Sequence, residues 1–404
     1  MSILYLIFIA LAAYYSFRYD GIEVYDSHKQ HRLWLLCAYL ICLTGFSYGL
    51  GADKFTYMGD FEIYPKDFSE TSDFIWLQLM QKGMMPLWTI VNLLCKVFFD
   101  SFYAVQFLES AAINIAVCYV MSRHTHRYFL FLIIFFVTLQ YFIFNTEIMR
   151  EGFALAFAIV GMDGYVRGRK WLFWLLLPFG ILFHIAAAIV VLFPFVRFRV
   201  SWTTLFVAVG LAFGMWLFSD LVFTKVVTIV FGGQGELVKK IMFYSMQATS
   251  IFGFLRALFT YLVFPFIVMY TVTLAEQSEA ARKRKEKLTS YMVVLAVLAC
   301  SFAGFARLYN STQIFYLILL TEFVYMLTRY SDYFIIRMGA FAGTLFLVVL
   351  SYFSYYETTD TYFYDYFYPY TSIIDESDDV FIREVAHYEA VTIEVEDNNV
   401  RNIE

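Results

Sequence analysis

The chain has 404 residues, of which 61% are hydrophobic and only 16% are charged, and its net charge is −5. A typical soluble domain is about one quarter charged, so this composition argues against a soluble protein and predicts an integral membrane protein. The apolar residues occur in runs of roughly 15–25, the length that crosses a hydrocarbon core about 30 Å thick. The chain lacks the short alternating segments that are typical of a β-barrel. We therefore expect an all-α polytopic membrane protein with about 11–13 transmembrane or re-entrant helices.

A polar segment, GADKFTYMGDFEIYPKDFSETSD, follows the second apolar run. We expect residues 51–101 to form a long first external loop. Within it, the apolar stretch from Met84 to Phe99 is short and contains a lysine, so it is predicted to be a helix lying along the membrane surface. Asp53 and Asp60 both stand in glycine-containing, turn-like sequence, where an aspartate most often serves only the turn. We interpret Asp60 as such a turn residue and keep Asp53 as a functional candidate.

The basic residues predict the orientation in the membrane. Lys and Arg collect in cytoplasmic loops, and the densest cluster, EQSEAARKRKEK, lies in a predicted cytoplasmic basic loop at residues 275–289. This orientation requires segment 171–196 to turn back near His184, although one long tilted helix is the alternative. Residues 1–353 would then form a transmembrane domain of roughly 12 short or full spans with both termini outside. Residues 354–404 would form an external tail that is aromatic and then acidic.

Ionisable residues in or beside the apolar runs are the candidate functional groups. Such side chains are costly at membrane depth, so they tend to face a cavity, pair with one another or contact a ligand. In the expected topology six of them share the outer face: Asp53, Glu147, Arg150, Glu151, His184 and Arg307.

Each of these residues also has a simpler structural interpretation. Glu147, Arg150 and Glu151 are three and four residues apart, so they could form only an interfacial ion-pair network. His184 could be a helix-end cap or a buried imidazole, and Arg307 could reach lipid phosphates. Their predicted convergence on one face favours a binding site.

Several short motifs, in order, resemble a known family. GLGADKFTY, which contains Asp53, resembles the Gly-x-Asp-x-x-x-Tyr element of EpsG-type membrane proteins. That family is related to the Wzy O-antigen polymerases and to other polytopic glycosyltransferases of the GT-C kind. MREGFALAFAI resembles its Arg-Gln-Gly-x-Ala helix start, in which Arg150 matches and Glu151 replaces the usual glutamine.

The resemblance continues towards the carboxyl terminus. LFHIAAAIVVL resembles the family's Phe-His-x-Ser-Ala segment, in which His184 matches while alanines stand where the family often has serine and alanine. RLYNSTQIFY, which contains Arg307, resembles a later helix junction. YPYTSI, from Tyr368, resembles a carboxyl-terminal Pro-Tyr element. The resemblance therefore covers residues 48 to about 373, most of the chain.

The resemblance implies a GT-C-like polysaccharide polymerase in the bacterial inner membrane. Such an enzyme would join polyprenyl-diphosphate-linked oligosaccharide repeat units at the outer face, for exopolysaccharide, capsule or O-antigen. Its partners would be the lipid-linked glycan, membrane lipid and other polysaccharide-export proteins, with no nucleic acid. The diphosphate leaving group would supply the energy, so no metal or other cofactor is expected. The sequence contains neither a Walker-type loop nor a zinc-like His/Cys cluster.

This chemistry requires a proton acceptor and a cation. Asp53 would be the catalytic base or would orient the acceptor sugar, and His184 would be the alternative base or a phosphate donor. Arg150 and Arg307 would hold the diphosphate, because a guanidinium stays charged and its planar fork meets phosphate oxygens. The further substrate-binding candidates are Glu147, Glu151 and Tyr57.

Three other classes of protein compete with this interpretation. A flippase or other transporter of lipid-linked oligosaccharide would carry charges near the bilayer midplane and paired broken helices. A membrane acyltransferase would use a buried histidine such as His184, but it would not require two outward arginines. A structural subunit of an export machine would need no chemistry at all.

Overall fold

The computed structural model describes residues 3–23, 26–67, 71–80, 85–218, 250–302, 305–329, 334–359, 363–374 and 385. The chain divides into two compact units. Unit 1 comprises Met1–Ala156, Leu182–Ile185 and Asp332–Glu404, and unit 2 comprises Phe157–Ile181 and Ala186–Ser331.

Unit 1 is built from the helices of the first part of the chain and from two helices near its carboxyl terminus. In chain order they are α1 (Ile3–Tyr19), α2 (Ser27–Gly45), α3 (Ala52–Glu62), α4 (Thr71–Met80), α5 (Pro86–Phe99), α6 (Phe102–His124), α7 (Tyr128–Val137), α8 (Gln140–Glu147) and the first turns of α9 (Met149–Val166), followed much later by α15 (Phe334–Thr359) and α16 (Phe363–Phe367).

Unit 2 contains the remainder of α9 and the helices between residues 170 and 329. They are α10 (Lys170–Phe183), a 3₁₀ helix (Ile185–Leu192), α11 (Trp202–Leu217), α12 (Ile251–Ala275), α13 (Glu279–Ser301) and α14 (Ala306–Arg329). The last two residues of α10 and the first residue of the 3₁₀ helix belong to unit 1.

Three of the described helices, α6, α12 and α14, are long and apolar enough to cross a membrane. A fourth candidate span is the pair α7 and α8, which are bent by 80° at a short break. Shorter apolar helices include α1, α5, α10 and α11. The chain is an all-α polytopic membrane protein, as the composition predicted. The predicted number of spans and their orientation stay predictions, and residues 219–249 lie outside the described residues.

The segment 171–196 turns back on itself. Helix α10 ends at Phe183, and a 3₁₀ helix begins at Ile185. The rings of Phe173 and Phe193 are 6.1 Å apart, whereas a single continuous helix would separate them by about 30 Å along its axis. Tyr165 of α9 contacts both rings, at 5.4 and 5.6 Å. The chain therefore reverses near His184, as predicted, and the alternative of one long helix is wrong.

The carboxyl-terminal segment packs against the end of α2. The Tyr48 N–H donates to the Thr371 carbonyl at 3.0 Å, and the Ile373 N–H donates to the Phe46 carbonyl at 3.0 Å. The Tyr370 hydroxyl donates to the carbonyl of Leu43 at 2.9 Å. Residue 354, the predicted start of the external tail, lies inside α15. Its membrane side stays a prediction.

Asp60 is a correction to the sequence interpretation. It was predicted to be a turn residue, but it lies within α3, which continues to Glu62. The Gly-Asp pair does not end this helix. The turn lies earlier, where Gly49 and Gly51 have φ angles of 56° and 95°, values that glycine adopts without steric cost.

Candidate functional site

Asp53 lies in the first turn of α3, where its side chain is exposed. A carboxylate at this position is stabilised by the positive end of the helix dipole. Its backbone N–H donates to Oε2 of Glu147 at 3.3 Å. Gly51, just before the helix, lies so close to α8 that a Cβ there would be 2.7 Å from the Cβ of Thr146. A turn glycine and a carboxylate from another helix thus place Asp53.

Glu147 ends a π-helical stretch of α8 that begins at Ile143. π-helical turns are rare and are often found at functional sites. Helix α9 begins two residues later and carries Arg150 and Glu151 in its first turn. Glu147 and Glu151 are buried, with 8% and 4% of their surface exposed, whereas Arg150 is half-buried. The structure thus brings these three residues to the junction of α8 and α9.

Tyr57 of α3 joins this group. The guanidinium carbon of Arg150 lies 5.5 Å from the centre of the Tyr57 ring, a distance at which a cation is attracted to an aromatic face. The sequence-predicted residues Asp53, Tyr57, Glu147 and Arg150 therefore belong to the contact between α3 and the α8–α9 junction within unit 1, and Glu151 follows Arg150 in the first turn of α9.

A row of aromatic rings connects Tyr57 with the position of His184. Tyr57 contacts Trp88 of α5 at 5.5 Å, and Trp88 contacts Phe153 of α9 at 6.3 Å. Phe153 stacks on Phe183 at 4.7 Å with an angle of 7° between the rings. Phe183 is the residue before half-buried His184. The predicted surface helix α5 thus contributes the ring that links α3 to α9.

Two buried charged residues in this region were missed by the sequence interpretation. Lys54 of α3 and Glu109 of α6 are both fully buried. The Lys54 ammonium donates to Oγ of Ser47 at 2.9 Å. Burial lowers the pKa of Lys54 to about 7, and the nearby carboxylates of Glu109 and Glu147 oppose that shift. Glu109 could have been found in the sequence, because it is the one acidic residue in a helix that is long and apolar enough to cross a membrane.

Arg307 lies in unit 2. It occupies the first turn of α14, where its side chain is exposed. Nearby, Tyr309 is buried and its ring contacts Tyr261 of α12 at 5.3 Å. The predicted partnership of Arg307 with Arg150 therefore stays a prediction.

The helices define a polytopic, all-α membrane protein. Its candidate site, beside α3, contains both acidic and basic residues. The family model "EpsG family" matches residues 32–372, most of the chain, and the chain belongs to this family. The matched region contains every candidate residue from Asp53 to Arg307, and membership is consistent with a role in polysaccharide biosynthesis. A search of curated proteins and a search of solved structures each found no match.

Proposed function

We propose that the protein is a polysaccharide polymerase that joins polyprenyl-diphosphate-linked oligosaccharide repeat units at the outer face of the bacterial inner membrane. The observation that carries this proposal is the placement of Arg150 against α3, the helix whose first turn presents Asp53. A cation and an exposed carboxylate are the two groups that glycosyl transfer from a diphosphate requires. The family membership supports the same class of reaction.

In the proposed reaction, a hydroxyl of one repeat unit attacks the anomeric carbon of another unit that is bound to lipid diphosphate. The new glycosidic C–O bond forms as the bond from the anomeric carbon to the diphosphate oxygen breaks. The diphosphate leaves with the electron pair of that bond, and the hydroxyl proton moves to the catalytic base. No oxidant or nucleotide is consumed.

Arg150 is the proposed diphosphate-binding residue of unit 1. A guanidinium remains protonated at all physiological pH values and can form two parallel hydrogen bonds to phosphate oxygens. The ring of Tyr57 lies against it, which favours the cation and limits its rotamers. Tyr57 is only 9% exposed, so we assign it to holding Arg150 and not to broad stacking on a sugar. Arg307 is the proposed second phosphate contact.

Asp53 is the proposed base. It is exposed, so an acceptor sugar can reach it, and a positioned base of this kind contributes roughly 10²–10⁴-fold to a rate. His184 is the alternative base, because an imidazole nitrogen can accept the hydroxyl proton. Glu147 and Glu151 are buried, which suits them to orienting Asp53 and Arg150 better than to direct proton transfer.

The test is the length of the glycan made by cells that carry single substitutions. We expect Asp53→Asn and Arg150→Ala to leave mainly single repeat units at normal protein levels. His184→Ala should do the same if His184 is the base. The matched controls are Asp60→Asn, in the same helix as Asp53, and Arg282→Ala, in the predicted cytoplasmic loop. Both should keep long chains.

A deletion strain completes this experiment. If the strain without the protein still makes full-length polymer, the polymerase proposal is wrong, and a transport or assembly role replaces it. If the deletion strain makes only single units but Asp53→Asn and Arg150→Ala both make long chains, the function stands and the site assignment is wrong.

A further inference from the structure

A buried lysine interacts with two buried acids beside the candidate site. Lys54 is fully buried on α3, and its ammonium interacts electrostatically with Glu109 of α6 and Glu147 of α8. Both carboxylates are also buried. Three ionisable groups from three different helices thus interact in a region with little access to water, where each charge is costly unless an opposite charge compensates it.

Glu109 packs against the beginning of α9. Within the described part of the chain, neither of its carboxylate oxygens has a hydrogen-bond partner. One of them is so close to α9 that a Cβ at Gly152 would lie 2.3 Å from it. Gly152 is two residues after Arg150. The Lys54 side chain interacts electrostatically with this carboxyl group, which touches the helix that carries Arg150.

Glu147 makes the second connection. It accepts the backbone N–H of Asp53, the residue before Lys54, at 3.3 Å. The lysine and its two acids therefore connect the first turn of α3 with α6, with the end of α8 and, through Glu109, with the start of α9. Asp53 and Arg150 lie at the two ends of this connection.

We infer that Lys54 and Glu109 are positioning residues, which together with Glu147 set the placement of Asp53 relative to Arg150. This inference rests on the proposed function, since the positioned groups are those assigned to the base and to the diphosphate. The pair itself contacts neither sugar nor phosphate. Its effect on polymerisation is exerted through the geometry of the two residues that do.

A buried lysine and glutamate that interact electrostatically can also be merely structural, and a double substitution separates the two roles. Removing one partner leaves an uncompensated buried charge and is strongly destabilising, whereas replacing both partners by uncharged groups of similar volume is often neutral. Stability should therefore recover in the double variant. If the pair positions the site, the rate of polymerisation should not recover, because the connection between the helices is still missing.

The first measurement is the thermal unfolding of purified Lys54→Met, Glu109→Gln and the double variant in detergent. We expect each single substitution to lower the midpoint by about 5–10 °C and the double variant to return to within about 3 °C of the parent. A control pair is Lys96→Met with Glu62→Gln, in which the glutamate is exposed and the lysine also lies 3.1 Å from Asp100. Lys96 of α5 is also buried and lies 3.2 Å from Glu62 of α3, but this pair joins the other end of α3.

The second measurement is the rate of repeat-unit addition by the same variants in membrane vesicles supplied with lipid-linked repeat units. We expect the double variant to be at least about tenfold slower than the parent despite its recovered stability, because small displacements of catalytic groups cost rate steeply. The control pair should keep the parental rate. If the rate of the double variant recovers together with its stability, the pair is structural only and the inference is wrong.

A third measurement does not depend on the proposed function. With Cys42, the exposed native cysteine, replaced by alanine, Asp53→Cys is labelled by a water-soluble maleimide with and without the double substitution. A labelling rate changed by about threefold or more supports positioning. If labelling changes while the deletion strain still makes polymer, the proposed function fails and the positioning stands. An unchanged labelling rate overturns the inference.

Discussion

Glu147 contacts the beginning of α3 at two neighbouring points. Its Oε2 accepts the N–H of Asp53, and its Oε1 would lie 3.4 Å from a Cβ placed on Gly51. The φ of 95° at Gly51 is favourable for glycine and strained for other residues. The position of Asp53, the proposed base, therefore depends on Gly51 and on Glu147, which comes from a different helix.

Gly152 tests the close packing of Glu109 against α9. An alanine Cβ at this position would lie 2.3 Å from Oε1 of Glu109 and 2.6 Å from the carbonyl oxygen of Phe144. Because the second contact is to backbone, α9 itself must shift. We expect Gly152→Ala to destabilise the protein by about 1–3 kcal/mol and to lower polymerisation, measured by thermal unfolding and glycan length.

Gly161, in the same helix, is the matched control. A Cβ there would meet its nearest neighbour, Phe173, at 3.5 Å, which is ordinary contact. Gly161→Ala should leave stability unchanged or raise it by up to about 1 kcal/mol, since alanine favours the helix. Equal stability of the two variants would contradict the tight packing of Glu109 at Gly152.

The charged residues of the site were only partly predictable from the sequence. Glu147, Arg150 and Glu151 follow one another closely, so their proximity is a property of local sequence. Lys54 was overlooked because it stands in a polar stretch, where a lysine is expected to be solvated. The helix that carries it packs against the π-helical stretch of α8, which begins at Ile143, far later in the chain, and local sequence carries no signal for that contact.

At the scale of the elements, Asp20 joins the turn after α1 to the start of α7 by hydrogen bonds. Its carboxylate accepts the backbone N–H groups of Phe129 at 3.3 Å and of Leu130 at 2.8 Å. Lys29 of α2 donates to the carbonyls of Tyr19 and Ile22 at 3.0 and 2.9 Å on the other side of the same turn. The first two helices are thus held to α7 by polar contacts outside the apolar spans.

Asp20 predicts a pH dependence of stability. Burial raises its pKa to about 6, although the two backbone N–H groups oppose the shift. The native state therefore binds more protons than the unfolded state between about pH 4 and pH 6, so stability falls as the pH rises through that window. A shift of about two units corresponds to about 3 kcal/mol at most.

Asp20→Asn should remove this dependence, because an amide does not titrate while its oxygen still accepts a hydrogen bond. The measurement is the unfolding midpoint of the purified protein at intervals from pH 4 to pH 7. Asp26→Asn is the control, since Asp26 caps α2 but is not fully buried. If the unfolding midpoints of the Asp20→Asn variant and of its parent change equally with pH, the burial of Asp20 does not cause the pH dependence.

The helices themselves were predictable to different degrees. The apolar runs predicted helical spans, and the positions of the basic residues predicted the reversal near His184. The 80° bend between α7 and α8 had no such signal. Leu139 adopts a φ of 63° at that bend, a conformation that L-residues other than glycine, asparagine and aspartate rarely take. Tertiary packing, and not local preference, holds that leucine there.

At the scale of the whole molecule, the first and last family motifs meet within unit 1. The motif around Tyr48 and the motif around Tyr368 are separated by most of the chain, yet Ser47 and Ser372 form an antiparallel bridge. The resemblance predicted the order of these motifs but not their pairing. The match to the family model ends at residue 372, within this contact.

Two truncations test whether this carboxyl-terminal contact is needed. A chain that ends after residue 362 loses the hydrogen bonds from Tyr370 and Ile373 and the bond that Thr371 accepts from Tyr48. It also loses Phe367, whose ring lies 4.9 Å from that of Phe142 in α8. Because α8 carries Glu147, we expect the shorter chain to be unstable and to make no polymer.

The matched control ends after residue 374, so it keeps all of these contacts. We expect it to reach the parental membrane level and to make long glycan chains, as seen by immunoblot and glycan electrophoresis. The last 30 residues would then be dispensable for polymerisation even though they are rich in acidic groups. If both truncated chains reach a normal protein level but make no polymer, the acidic segment takes part in the reaction. If both make polymer, the contact with α2 is not required.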